Sequence, residues 1–541
     1  MRKNLEIPQG KRTGLYRFFE ILPGVLSYSA IILLFVLSWI NPILGSIYLF
    51  VIVTITLVKA VGVAYRTIQG YSVIERAKKV DWRSRVEDLS DASESYERLK
   101  VNGGKGYNFE EHLNNLKVIN AASKGEYPDP EKIYHLIIMT AYNEGAEVLR
   151  PSIEAILKST FPKERIIFAL AYEERGGEEM EKVAIKLKRE FNKEFKFFEI
   201  IKHPSNLKGE VIGKGPNLTY AGEYMAEFLE TKKVPIENVI VTSLDCDNHL
   251  DLKYLDAVAY EFIVRPNRQH FSYQPVSIYT NNIWDAPAPS RVIAVSNSFF
   301  NVITTMRPHT VRNFASHSQP LWALKQMNFW SKRTIDEDGH QYWRSLFYFD
   351  GKYSVVPIRI PIYQDAVLDD NLWKTIKAQF IQVRRWYYGA SDVAYVGVRL
   401  FGGREERRMP FWPLFAKFWR LLDGHLTLAV MAPLVAFGGW VPMIINSSMR
   451  SMVAYNLPQI VGIIQTVASI GLFVTVLISL RILPPRPKKY HKEKTIFMVL
   501  QWILMPVTSI FYQSLAAFYA QTRLMFGKYM EKFDVTKKVV K

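Results

Sequence analysis

Two apolar runs near the start of the chain constrain its fold more than any other feature. "VLSYSAIILLFVLSWI" covers Val25 to Ile40, and "ILGSIYLFVIVTITLVKAVGVAY" covers Ile43 to Tyr65, with only Asn41-Pro42 between them. At about 1.5 Å of rise per helical residue, each is close to the length that crosses a bilayer's hydrocarbon core. The tight link makes them a hairpin. Arg2, Lys3, Lys11, Arg12 and Arg17 precede it, and Arg66, Arg76, Lys78 and Lys79 follow it, so both ends are expected on the cytoplasmic side. A buried soluble hairpin is the alternative. The first run is long and no small-residue cleavage site follows it, so a cleavable signal peptide is not expected.

Apolar segments return late in the chain. Leu426 to Ile445 and Pro458 to Leu480 read as spans, and a third segment from Thr495 is broken by Pro506. Before them, "PFWPLFAKFWRLLDGH" mixes aromatic residues with Lys417 and Arg420, a pattern suited to the interface plane. "RILPPRPKKYHKEK" is basic and expected to be cytoplasmic. Three late spans would put the C-terminal end outside, whereas the basic "DVTKKVVK" prefers the inside. Sequence leaves that conflict open.

The expected organisation is a transmembrane hairpin over 1–66, a helical linker over 67–130, and an α/β domain over 131–400. An interfacial helix over 401–425, membrane helices over 426–526 and a basic tail over 527–541 follow. In the α/β region short apolar runs recur: "YHLIIMTA", "RIIFALAY", "FKFFEIIK", "NVIVTSL" and "FSYQPVSIY". Segments of helical spacing separate the early ones, which implies a largely parallel sheet with both faces covered. The net charge of +18 fits nucleic acid, an anionic membrane face or a phosphorylated substrate. Much of the excess lies beside the apolar segments, which disfavours nucleic acid. The single cysteine excludes an internal disulfide framework and any Cys-rich metal site.

In open α/β sheets ligands bind beyond the carboxyl ends of strands. "TAYNEG", "AYEER" and "LDCD" occupy such places, and "IDEDGHQYW" and "QVRRW" come later. Asp245 and Asp247 alternate along an extended backbone, so they share a face, with Cys246 turned away. Hard oxygen ligands there suit Mg²⁺ or Mn²⁺. A helix cap or turn is the plainer reading of such a pair. Cys246 as a nucleophile would need an oriented base, and neighbouring carboxylates raise a thiol's pKa, so a buried thiol is expected. Gln382, Arg385 and Trp386 recur at helical spacing and share a face able to grip a diphosphate and stack on a sugar. A basic helix beside a membrane would look similar.

Taken in order, these clusters resemble the membrane-embedded family 2 glycosyltransferases, which include cellulose, hyaluronan and chitin synthases. The resemblance covers about residues 20 to 520. It implies a GT-A fold, a Rossmann-like nucleotide-diphospho-sugar transferase domain inserted between transmembrane helices. It also implies inverting transfer from a nucleotide-sugar donor, at the plasma membrane, with the catalytic domain cytoplasmic. By the same match, Tyr142, Glu144 and Glu173 line the nucleoside pocket (Glu174 being the alternative to Glu173). Lys214, with Asn217, approaches the nucleotide, and Asp245 contacts the ribose. Asp247 holds the metal, with Asp245 as a further candidate ligand. Asp338 is the general base, and Gln382, Arg385 and Trp386 hold the donor diphosphate and the acceptor end.

Two departures stand out. The family often has Asp where "YEER" stands here, and its base motif usually reads Thr-Glu-Asp where this chain has Asp336-Glu337-Asp338. The expected activity is extension of a polysaccharide coupled to export. The alternative is transfer of one sugar to a polyprenyl phosphate or other lipid acceptor. A membrane scaffold with a decayed transferase fold is a third reading, which the ordered acids argue against.

Overall fold

The computed structural model describes residues 5–104, 106–403, 407, 409–446 and 452–534. The basic tail beyond Asp534 lies outside the described residues. The centre of the molecule is an eight-stranded sheet in the order β3-β2-β1-β4-β7-β6-β8-β5. The strands are β1 Tyr134–Ala141, β2 Ile166–Glu173, β3 Phe197–His203, β4 Val239–Asp245, β5 His249–Leu250, β6 Phe271–Tyr279, β7 Ser318–Pro320 and β8 Ser354–Gln364. Pairing is parallel among β3, β2, β1 and β4, and between β6 and β8. The sheet is mixed rather than largely parallel, because three-residue β7 runs antiparallel between β4 and β6 and β5 runs antiparallel to β8.

Alternation of side chains along β1 explains the layering. Ile137 and Met139 pack with the helices Ala146–Leu157, Gly177–Phe191 and Tyr254–Ile263 on one face. Leu136 and Ile138 pack with the helix Lys214–Thr231 on the other. Strand β2 is buried along its whole length. The carboxyl ends of β1, β2 and β4 therefore open on one edge of a covered sheet.

Among the described residues, four helical stretches are long and apolar enough to cross a membrane: Gly14–Ile40, Pro42–Lys78, Phe411–Ile445 and Glu493–Met525. A further helix covers Met452–Ile482. Asn41 ends the first and caps the second, its side chain accepting from Ile43 N at 2.8 Å. Gly45 lets the two approach closely, since a Cβ there would overlap Ser38. The second helix runs on to Lys78, past the expected boundary at residue 66. Phe411–Phe437 is one unbroken helix across the expected boundary at residue 425. Its first half is held to the α/β domain by Lys417, which donates to Tyr342 Oη at 2.8 Å.

Contacts trace the path of the late helices. Asn446 donates to Ser38 O, at the end of the first helix away from the α/β domain. The helix Met452–Ile482 returns, and Tyr71 Oη donates to Arg481 O at 3.4 Å. The stretch Glu493–Met525 then begins and ends beside the α/β domain. Arg291 Nε donates to Gln501 Oε1 near its start, and Met530 N donates to Tyr388 Oη just past its end, at 3.1 Å. The described residues after Met525 thus lie on the same side as the α/β domain. Glu6 lies there too, accepting from Ser331 Oγ at 2.7 Å.

Candidate active site

A cavity of about 460 Å³ sits at the carboxyl ends of β1, β2 and β4, under the helix Leu372–Tyr387. Tyr142, Glu144, Glu173, Lys214, Asp245, Asp247, Gln382, Arg385 and Trp386 all line it. Asp338 stands at its edge, reached through Lys214. Residues dispersed along the chain converge because Glu173 and Asp245 end strands, Tyr142, Glu144 and Asp247 lie in the turns just past strand ends, Lys214 and Asp338 sit at helix starts, and Gln382, Arg385 and Trp386 share one helix.

Lys214 opens the helix Lys214–Thr231. Its Nζ lies 2.8 Å from Asp245 Oδ1, 3.2 Å from Asp338 Oδ2 and 3.5 Å from Glu337 Oε1. Burial opposes its charge, but the Asp245, Asp338 and Glu337 carboxylates outweigh that and hold its pKa well above the ordinary value. Gly215 makes the approach close, because a Cβ there would overlap Ser331 O and crowd Glu337. Glu337 and Asp338 sit in the first turn of the helix Glu337–Tyr348, where the helix dipole favours acids. Burial and the neighbouring Asp338 push Glu337 up to about 8 against the pull of Lys214. His317 Nδ1 lies 3.7 Å from Asp338 Oδ1.

Glu173 and Glu174 separate cleanly. Glu173 lines the cavity, with Arg175 Nη2 at 2.8 Å and His203 Nδ1 at 3.2 Å. Glu174 turns away and accepts from Ser205 N and Oγ, both at 2.8 Å. His203 also reaches Glu210 at 3.1 Å through Nε2. Burial works against a charged His203, yet its hydrogen bonds to Glu173 and Glu210 raise it to about 9. Glu144 Oε2 accepts from the backbone N–H of Tyr142 and Asn143 at 2.7 and 3.2 Å, which shapes the loop after β1. Asn217 donates to Ala171 O at 3.1 Å, fixing the helix of Lys214 against β2.

Gln382, Arg385 and Trp386 share one face of Leu372–Tyr387, a helix capped by Asn371 accepting from Lys374 N at 2.9 Å. Burial draws Arg385 down to about 10, so it stays charged at neutral pH. Trp386 lies 6.4 Å from the ring of Tyr279.

Sequence reasoning missed one wall of the cavity. Lys532, Phe533 and Asp534 line it, paired as an extended segment with Ile212. Ile212 N donates to Glu531 O at 3.1 Å and Phe533 N to Ile212 O at 2.7 Å. Arg385 lies over the Phe533 ring at 3.7 Å and donates to Asp534 O at 3.0 Å. Arg384 pairs with the Asp534 carboxylate. The basic character of this stretch was its only sequence signal. Asp365 is a further lining acid that no motif marked.

Cys246 is 6% exposed and belongs to the apolar core. Its flanking carboxylates face the cavity. No group of three or more His, Cys, Asp or Glu residues placed to hold a metal occurs among the described residues. Two aspartates are a partial donor set, which suits an Mg²⁺ or Mn²⁺ ion completed by substrate phosphate and water.

No family model matches the chain, and no curated protein matches it. Among solved structures it is similar to the mannosyltransferase PcManGT from Pyrobaculum calidifontis in complex with GDP-Man and Mn²⁺. Identity is 12%, over 83% of this chain and 99% of that one, with a TM-score of 0.39. It is similar to GalNAc-T7 with UDP, GalNAc and Mn²⁺ at 10% identity, over 54% of this chain and 58% of that one, with a TM-score of 0.32. A third is S. aureus TarS 1-349 in complex with UDP, at 11% identity, over 74% of this chain and 94% of that one, with a TM-score of 0.32.

Proposed function

We propose that the chain is a membrane-embedded inverting glycosyltransferase of the family 2 type, moving a sugar from a nucleotide-sugar to a growing polysaccharide and coupling transfer to export. The observation that carries this reading is Lys214, whose single ammonium joins Asp245 at the strand end to Asp338 at the cavity edge. An acid suited to contact the nucleotide and an acid suited to act as base are thereby held side by side at one end of the cavity. Single-sugar transfer to a lipid remains the competing outcome of the test.

In this reading Asp338 takes the proton of the acceptor hydroxyl while the oxygen attacks the anomeric carbon from the face opposite the leaving group. Glu173 and Tyr142 hold the nucleoside, and Asp245 the ribose. Arg385 sits where the departing diphosphate gains charge, and Gln382 and Trp386 hold the same end of the substrates. A bound Mg²⁺ or Mn²⁺ would add Lewis-acid stabilisation of the leaving group. Asp247, with Asp245, would hold it. The helices Gly14–Ile40, Pro42–Lys78, Phe411–Ile445 and Met452–Ile482 cross the membrane, and Glu493–Met525 lies along its cytoplasmic face, both its ends being tied to the α/β domain. That arrangement keeps the described residues after Met525 on the side of the α/β domain.

The test is a panel of nucleotide-sugars given to the purified full-length protein in lipid nanodiscs with Mg²⁺ or Mn²⁺, with product mass and linkage read out. Long saccharides support the reading. Product limited to one sugar on a lipid defeats the polymer assignment, and no turnover of any donor defeats the transferase assignment.

A further inference from the structure

A register shift gives one arginine of the sheet an unusual setting. Pro275 of β6 pairs with Ile358 of β8, but the next residue, Val276, pairs with Pro361. Arg359 and Ile360 fall between them in a bulge, and bulges re-aim side chains. Arg359 lines a cavity of about 190 Å³ together with Val73, Arg76, Tyr107, Asn108 and Met306. This cavity shares no residue with the candidate active site.

Its walls come from four separate parts of the chain: the helix Pro42–Lys78, the turn before the helix Phe109–Ala121, the end of the helix Ala288–Thr305, and β8. Gly70 brings the first and third together, since a Cβ there would overlap Val302 and crowd Met306. Arg85 fixes the turn by donating to Tyr107 O at 2.6 Å. Arg359 donates to Tyr107 Oη at 2.9 Å through Nη1 and to Thr305 O at 3.4 Å through Nη2. The other three N–H groups of its fork, the Nε–H among them, have no partner among the described residues. Arg76 is exposed at the rim and makes no hydrogen bond or ion pair through its side chain among the described residues.

Among the described residues no acid lines this space. The acids nearby are engaged elsewhere: Glu111 accepts from Asn108 Nδ2 at 2.6 Å, and Glu261 pairs with Arg265. Glu75, just before Arg76, acts on Tyr71 and Lys78 instead. Two guanidiniums, a phenol and an amide around a small space without an acid suit the oxygens of a phosphate. The volume is below the roughly 300 Å³ at which pockets for drug-sized ligands begin, so a phosphate group or a small phosphate ester fits and a nucleotide-sugar does not. Val73 lies eight residues past Tyr65, about 12 Å along the helix and beyond a headgroup layer of roughly 5–8 Å, which favours a soluble ligand over a lipid. We propose that Arg76 and Arg359, with Tyr107 and Asn108, bind the phosphate group of a small soluble molecule, tying the membrane hairpin and the segment after it to β8. This does not rest on the transferase reading.

The experiment uses full-length protein in phosphatidylcholine nanodiscs, with inorganic phosphate as the probe and chloride at matched ionic strength as its reference. Calorimetry should give a Kd of about 1 mM or tighter, and phosphate should raise the thermal midpoint. Arg76→Gln should weaken binding about tenfold and melt as the wild type does without phosphate, because its side chain holds nothing in the fold. Arg359→Gln should weaken binding at least as much; if it melts early through loss of Tyr107 and Thr305, Arg76→Gln still decides. Absence of phosphate binding by the wild type overturns the site, as does wild-type affinity in Arg76→Gln. Binding that survives Arg76→Gln and is lost in Arg385→Gln places phosphate in the larger cavity and also overturns it. Phosphatidic acid added to the bilayer should leave phosphate affinity unchanged. Competition by that lipid, abolished by Arg76→Gln, would overturn the soluble source. No arm reads sugar transfer, so failure here leaves the nucleotide-sugar panel to stand or fall by itself.

Discussion

Lys214 Nζ lies 3.2 Å from Asp338 Oδ2, so the residue proposed as base shares its cation with the acid at the end of β4. Replacing Lys214 by methionine removes the counter-charge from Asp245, Glu337 and Asp338 together. Turnover should fall at least about 100-fold, with kcat affected more than donor KM, since a base held among unpaired carboxylates protonates. Steady-state kinetics on the nucleotide-sugar identified by the panel checks this, and Lys214→Met with normal kcat would refute it.

Cys246 and Asp247 both border the cavity, but Cys246 also belongs to the apolar core, whereas Asp247 brings a carboxylate to the cavity. Cys246→Ser should keep activity within about threefold, and Asp247→Asn should lose at least about 100-fold. Titrating Mn²⁺ against turnover separates a metal role from a packing role. Equal loss in both variants means the strand end has been misread.

The Phe533 wall bears on the donor. Phe533→Ala removes the ring beneath Arg385 and should raise donor KM about fivefold with a smaller change in kcat, because a charge-gripping guanidinium loses its orientation. Isothermal titration with the nucleoside diphosphate gives the same comparison without turnover. An unchanged affinity would reduce this segment to a bystander.

His203 supplies a pH dependence of stability. It faces Glu173 and Glu210, with Arg175 and Lys332 beyond them and the Tyr220 ring against it. Its pKa is raised in the fold from 6.5 to about 9. The protonated ring's stabilisation is therefore complete below pH 6.5 and lost as pH rises through 9, an effect on the order of 2–3 kcal/mol. Thermal midpoints of wild type should fall between pH 7 and 10 more steeply than those of His203→Gln. Parallel curves would remove His203 from the account.

Much of the sheet was legible because its strands are short apolar runs of period two or full burial, as in β1 and β2. The strand β8 was not, since Pro357 and Pro361 interrupt it and prolines argue against a central strand. It tolerates them with a register shift opposite Pro275 and Val276. Spacing alone put Asp245 with Asp247, and Gln382 with Arg385 and Trp386, on shared faces, whereas Tyr142, Glu144, Glu173 and Lys214 were named through the family resemblance; all of them line one cavity. Asp534 was not, because its position depends on pairing with Ile212, and no local pattern encodes a partner so distant in the chain. The course of Glu493–Met525 was likewise hidden. A helix that starts and ends beside the α/β domain and one that runs away from it can share a composition, and only the contacts at its two ends tell them apart.

The Ile212–Lys532 pairing sets an order of events. A chain emerging from the ribosome displays the strands that end at the cavity and its proposed base long before the last wall exists. Every apolar helix must be made, and the stretch Glu493–Met525 laid back against the α/β domain, before residues 531–534 can reach Ile212. Until then Arg385 has neither the ring of Phe533 beneath it nor the carbonyl of Asp534 beside it. The cavity of a nascent chain of this design is therefore incomplete until its last described residues have been made.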